Sequence, residues 1–175
     1  MNIDIDVDGI DAAQLMLGKQ PNAIKRAMSS SINRALTAGR TALSKGIRSE
    51  YNIKAGTIKG ATKSEKATAA SGKGVITVTG RPMDLMEFKP TISRKGMVSV
   101  RIKKTRKSLP RSFFVDIGKK GIFHRVTTSR LPIEKEFTLS VAQMAGNVNV
   151  IDTVEDRMQR VFNDRFARAI EYGRD

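Results

Sequence analysis

The chain has 175 residues, with 32 Lys and Arg against 17 Asp and Glu, a formal net charge of +15 and a pI near 10.5. It carries no Cys, no Trp and one His, which excludes disulfides, thiolate nucleophiles, Cys-held metals and His-paired metal sites. The length fits one domain, 1–175, and the partner of so basic a chain is expected to be anionic: nucleic acid or an acidic protein surface.

Residues 2–8 alternate Ile3, Ile5 and Val7 with Asn2, Asp4, Asp6 and Asp8. That period predicts a strand with one apolar and one acidic face, closed by Gly9 and followed by a helical turn or two over 10–17. The acidic face reads as the solvent side of an edge strand. Ile3, Ile5 and Val7 are the candidate inter-subunit contacts, adding a strand to a neighbour's sheet. An acidic start is unlike a secretory leader, and no stretch approaches the roughly 18 apolar residues of a membrane span, so cytoplasmic synthesis is expected.

Pro21 stands at a helix N1 position. Ile24, Ala27, Met28, Ser31, Ala35, Leu36, Ala42, Leu43 and Ile47 then recur at spacings of three and four, predicting a helix over 22–49. Gly39 and Gly46 each cost that helix up to about 1 kcal/mol unless close packing uses them. Residues 53–59 predict a short helix, and Ser64 to Gly74 reads as a flexible surface connection.

Strands are predicted at Val75 to Thr79, Leu85 to Phe88, Met97 to Lys103, around Phe113, Val115 and Ile117, and at Ile122 to Thr128, with Gly118 to Gly121 as a hairpin loop. Asp152 with Glu155, or Thr153 with Asp156, predicts a capping box opening a helix over 152–172. Its apolar stripe is Val154, Met158, Val161, Phe162, Phe166, Ala169 and Ile170, and Gly173 closes it. The predicted fold is α+β: an antiparallel meander covered by a long N-terminal helix and a C-terminal amphipathic helix.

Charge is segregated along the chain. Residues 1–18 form an acidic arm of −4, residues 19–110 carry +17, residues 111–131 carry +4 and residues 132–175 carry −2. The densest run spans residues 101–111, where Arg101, Lys103, Lys104, Arg106, Lys107 and Arg111 place six bases in eleven positions, with 103–111 read as a basic loop. Such a loop repels itself unless counter-charge lies beside it, and phosphates or an acidic protein supply that charge equally well. No aromatic residue interrupts the run, so base stacking is unsupported and any DNA contact is expected to follow the backbone.

No phosphate loop, dinucleotide fingerprint or nucleophile elbow is present. Acidic pairs stand at Asp84/Glu87 and Glu134/Glu136; a two-metal nuclease would need such carboxylates to converge in a pocket, and Glu134 and Glu136 beside Lys135 read as a solvated segment. His124, on the predicted strand face of Ile122 and Val126, reads as a structural histidine with no acid or nucleophile patterned around it. No catalytic residue, metal or cofactor is expected.

The stretch Arg130-Leu131-Pro132-Ile133-Glu134-Lys135 through Ser140-Val141-Ala142-Gln143-Met144-Ala145-Gly146-Asn147, followed by a helix with Arg157, Phe162 and Arg165-Phe166, resembles the phage minor tail protein Z, or tail completion, family. Upstream, Ile32-Asn33-Arg34-Ala35, the basic 53–63 segment, Gly80-Arg81-Pro82 and Ser112-Phe113-Phe114-Val115 follow a similar order, so the likeness covers most of residues 20–172. Phe137-Thr138-Leu139-Ser140 departs from it, where the family pattern has Gly-Pro before the Ser.

The resemblance implies a non-enzymatic structural protein that completes the head-proximal end of the tail or neck, helping to join tail to head and to pass DNA. It also implies a homo-oligomeric ring, commonly of six, with tail terminator, tail tube, tape-measure and neck proteins as partners. Its place would be the virion, after assembly in the host cytoplasm. The competing expectation from composition is a stand-alone basic nucleic-acid-binding, architectural protein.

Overall fold

A computed structural model describes residues 21–172. The strand expected at 2–8 with Ile3, Ile5 and Val7, the turn at 10–17, the rest of the acidic arm and the closing Gly173 lie outside the described residues.

The chain runs α1 (Pro21–Glu50), α2 (Ala55–Ala61), β1 (Thr62–Glu65), β2 (Val75–Val78), β3 (Met83–Asp84), a 3₁₀ turn (Leu85–Phe88), β4 (Thr91–Ile92), β5 (Val98–Val100) and β6 (Lys107–Leu109). It continues through β7 (Ser112–Ile117), β8 (Lys119–Arg125), β9 (Ile133–Lys135), β10 (Phe137–Thr138), α3 (Val141–Ala145) and α4 (Val148–Tyr172). This is a mixed α+β fold: a long N-terminal helix, a C-terminal helix and open antiparallel sheets. The strands divide into four short sheets, β1-β2, β10-β3, β4-β5-β6 and β7-β8-β9, the last two being consecutive meanders.

The described residues gather into two compact units. One draws on residues 21–46, Thr62–Val78 and 145–172, the other on Ile47–Ala61 and Thr79–Met144.

In the first unit, α1 and α4 run antiparallel, since Gly39 faces Met158 and Gly46 faces Val150. The two glycines are where the helices meet, so the missing Cβ that weakens α1 is what lets α4 approach. On α4 every fourth residue is buried: Val150, Val154, Met158, Phe162, Phe166 and Ile170. Such a ridge inclines across the helix face and seats between side chains of a partner. The Phe162 and Phe166 rings stack at 5.4 Å. Ile76 of β2 closes on the same seam at Gly39.

Three expectations are corrected in this unit. Residues 64 and 65 belong to β1, which pairs with β2 from Thr62↔Val78 to Glu65↔Val75. The connection that follows is tied down: Asn33 Nδ2 donates to the Ala67 carbonyl at 2.9 Å, and the Ala67 amide donates to Asn33 Oδ1 at 2.8 Å. The C-terminal helix begins at Val148, not 152, because Asn147 caps it, its Oδ1 accepting the Asn149 amide at 3.1 Å. Asp152 and Thr153 are therefore interior, and the Thr153 hydroxyl donates to the Asn149 carbonyl one turn back.

In the second unit, Leu85 to Phe88 is a 3₁₀ turn and not a strand. Asp84 Oδ1 accepts the Met86 amide, Lys89 ends the turn in the left-handed region at φ 46°, and Leu85 and Phe88, three apart, are both buried. A strand would have sent those two side chains to opposite faces.

The strand expected over 97–103 shortens to Val98–Val100. Asn52 takes the next carbonyls out of the ladder, its amide donating to Ile102 O at 2.7 Å and its Nδ2 to Arg101 O at 3.2 Å. The 118–121 loop reduces to Gly118 alone at φ 67°, with pairing that runs to Ile117↔Lys119 on either side. β8 ends at Arg125 rather than Thr128, and Val126 is exposed.

Candidate anion-binding site

The six bases expected to meet DNA or an acidic partner are all exposed. They do not form one loop over 103–111: Lys107 lies in β6, paired with Val100, and Arg111 sits in the turn leading into β7. The hairpin joining β5 to β6 carries the other four, since only a bent connection reverses the chain between two antiparallel strands.

The structure sorts these bases into two groups. Arg106 donates from its guanidinium to the Thr91 hydroxyl and to Ser99 Oγ, lying across the polar face of β4-β5. Arg101 Nε donates to the Lys104 carbonyl at 3.0 Å, and the Lys103 ammonium stands 5.7 Å over the Tyr51 ring. The side chains of Lys104, Lys107 and Arg111 make no hydrogen bond or ion pair among the described residues. Indeed none of the six bases is held by an acid there, the ion pairs being Lys120–Asp116, His124–Glu136, Lys135–Asp84 and Arg160–Asp156.

His124 has neighbours that the pattern along the chain did not suggest. Glu136 Oε1 lies 3.5 Å from His124 Nδ1 and accepts the Ser112 hydroxyl at 2.5 Å. No hydrogen bond joins the two, because His124 Nδ1 is buried without a bonded partner. Strand register explains the meeting: Ser112 pairs with His124 across β7-β8, and the Glu136 amide bonds the Ile122 carbonyl on the far side of β8. Serine bonds the carboxylate and not the imidazole, so this is no nucleophile–base relay.

Of the acidic positions, Asp84 and Glu136 are tied into the fold, whereas Glu87 and Glu134 are exposed. Asp84 Oδ1 holds the Met86 amide at 3.0 Å while its Oδ2 meets Lys135 Nζ at 2.5 Å. Glu134 pairs with His124 across β8-β9. Among the described residues, no three His, Asp or Glu side chains stand together as metal ligands. Nor, among them, is any helix long and apolar enough to cross a membrane.

A second basic surface, which the charge bookkeeping passed over, lies in the first unit. Stripes of α1 and α4 flank their seam and enclose a groove of about 790 Å³ bearing Arg34, Lys45, Arg157, Arg160, Arg165 and Arg168. Residues 132–175 sum to −2, so the charge of the segment as a whole hides its arginines. The missed signal is spacing, since 157, 160, 165 and 168 share one face at 3.6 residues per turn.

Comparison with known protein families, curated proteins and solved structures finds no match to this chain.

Proposed function

We propose that the chain is a non-enzymatic structural protein of a phage tail, completing its head-proximal end or neck and helping to connect tail to head and pass DNA. In this reading it acts as a ring of copies, commonly six, beside tail terminator, tube, tape-measure and neck proteins, and resides in the virion. The observation that carries it is the exposed basic run at 101–111 held by no acid among the described residues. It stands upstream of the 130–147 stretch on which the resemblance to tail completion proteins rests. A ring surface must meet a neighbour or the conducted polyanion, and uncompensated charge is what a subunit carries into such a contact. Exposed Leu131 and Phe137, at 68% and 57%, give the same stretch apolar atoms for a partner to cover.

The test is made on particles. Purified virions should contain the chain at the head–tail junction, seen by labelling and mass spectrometry. Reversing Lys104, Lys107 and Arg111 to Glu should lower infectivity sharply while the isolated variant melts as the parent does. Virions that lack the chain, or full infectivity of the reversed variant, overturn the reading. The competing architectural protein would instead bind free DNA as a monomer and be absent from particles.

A further inference from the structure

The groove between α1 and α4 has its own chemistry. From Arg34 to Lys45, and again from Arg157 to Arg168, each helix presents its bases over a rise of eleven residue steps, a length of about 17 Å at 1.5 Å per residue. Antiparallel packing sets Arg34 toward the Arg165 and Arg168 end and Lys45 toward the Arg157 end. Six bases line the groove against two acids, Asp156 and Asp164. Asp156 is engaged by Arg160 at 3.4 Å, which leaves the other five bases without an ion pair among the described residues.

The remaining lining favours one class of partner. Thr37, Thr41 and Thr153 spend their hydroxyl protons on carbonyls of their own helices, so they donate nothing into the groove. Among the described residues the apolar lining is limited to Ala38, Ala42 and Val161. Protein interfaces need a desolvated apolar or aromatic centre, which these side chains do not provide. Among the described residues no strand lines the groove, so they offer no ladder to an extended peptide. What remains is charge carried mostly by arginine, whose planar fork grips two oxygens of one phosphate. Among the described residues no aromatic side chain lines it for base stacking.

We infer that this groove is a nucleic-acid backbone site, taking the phosphodiester chain of DNA or RNA without regard to sequence. Duplex DNA presents one charge per 1.7 Å or so, hence about ten over the groove's length, which suffices to engage every base in it. The inference goes beyond the tail reading and does not use the 101–111 run, which belongs to the other unit.

The experiment titrates the full chain against a fluorescent 20-base-pair duplex of mixed sequence at several salt concentrations. Replacing Arg157, Arg165 and Arg168 by Gln should weaken binding roughly ten-fold or more, and equally for unrelated sequences. It should also reduce the slope of log affinity against log salt by about 2 to 3, close to one unit per lost phosphate contact. Arg157→Lys, Arg165→Lys and Arg168→Lys together should restore most of the slope, which shows that loss in the Gln variant is not loss of folding. The same affinity and slope in parent and Gln variant overturn the inference, as does a parent that binds no duplex. So does an outcome in which the arginines matter only for self-association or for capture of polyglutamate, since the occupant is then an acidic protein segment. Virion content is scored separately: groove-dependent binding by a chain absent from particles retains this inference and removes the tail reading.

Discussion

Ser140 and Gln143 cap each other. The Ser140 amide donates to Gln143 Oε1 at 2.9 Å, and the Gln143 amide donates to Ser140 Oγ at 3.2 Å. This is a reciprocal capping box at the start of the five-residue α3. It gives a physical reason for the Ser-x-x-Gln spacing at 140–143. Ser140 is buried, so water does not substitute for the lost oxygen. Ser140→Ala should cost about 1 kcal/mol in a denaturant titration, whereas Asp152→Ala, an interior exposed position of α4, should change stability by a few tenths. Equal effects of the two substitutions would contradict this assignment of the cap.

Asn33 acts as a one-residue strand. Its carboxamide both donates to and accepts from the Ala67 backbone, closing the connection between β1 and β2 onto α1. Ala67 is buried, so removing the amide leaves a backbone donor and acceptor unmatched. Asn33→Ala should destabilise by about 1–3 kcal/mol. Hydrogen exchange should show the Ala67 amide losing protection; an unchanged Ala67 exchange rate would refute the coupling.

The two seam glycines should respond differently to a methyl group. A Cβ at Gly39 runs into the Met158 thioether, with Ile76 Cδ1 at 3.2 Å, and both side chains are buried. Overpacking of about 1–3 kcal/mol should exceed the helix-propensity gain of up to about 1 kcal/mol. At Gly46 the nearest atom is Val150 Cγ1 at 3.3 Å, so a small shift of one methyl suffices and the two effects nearly cancel. Thermal melts should rank Gly39→Ala well below Gly46→Ala, and Met158→Ala should narrow the gap.

Ser112 depends on Glu136 more than the reverse. Ser112 is buried and its hydroxyl is satisfied by Glu136 Oε1, while the Glu136 side chain is 22% exposed and retains access to water. Glu136→Ala should therefore cost about 1–3 kcal/mol and Ser112→Ala about 1 kcal/mol. The double variant should be less destabilised than the sum, with a coupling of at least about 0.5 kcal/mol in a double-mutant cycle. Strict additivity would show that the short hydrogen bond contributes no coupling.

Long-period features were legible in the residues. The α1 span and the α4 stripe repeat over several turns, and burial follows them at Leu36, Leu43, Val154, Met158 and Phe162. The exposure of the 101–111 bases followed from their density, because so many like charges have no interior to occupy. Short features were not legible. Leu85 to Phe88 contains too few residues to separate a 3₁₀ turn from a strand, and Asp84 and Lys89 decide it through a cap and a left-handed residue. The spacing at 152–156 matches a capping box, whereas the reciprocal box lies at 140–143 and α4 starts under Asn147.

Composition and periodicity by themselves determined an α+β chain with two amphipathic helices, a basic centre and no cysteine chemistry, because each is a local or summed property of the residues. Only the tertiary structure decided which side chains meet. Packing at Gly39 and Gly46 places the arginines of α4 beside Arg34 and Lys45, and strand register delivers Glu136 to Ser112 and His124. Those pairs are separated by a dozen residues or more along the chain, and their proximity follows from helix packing and sheet pairing, which no local pattern encodes.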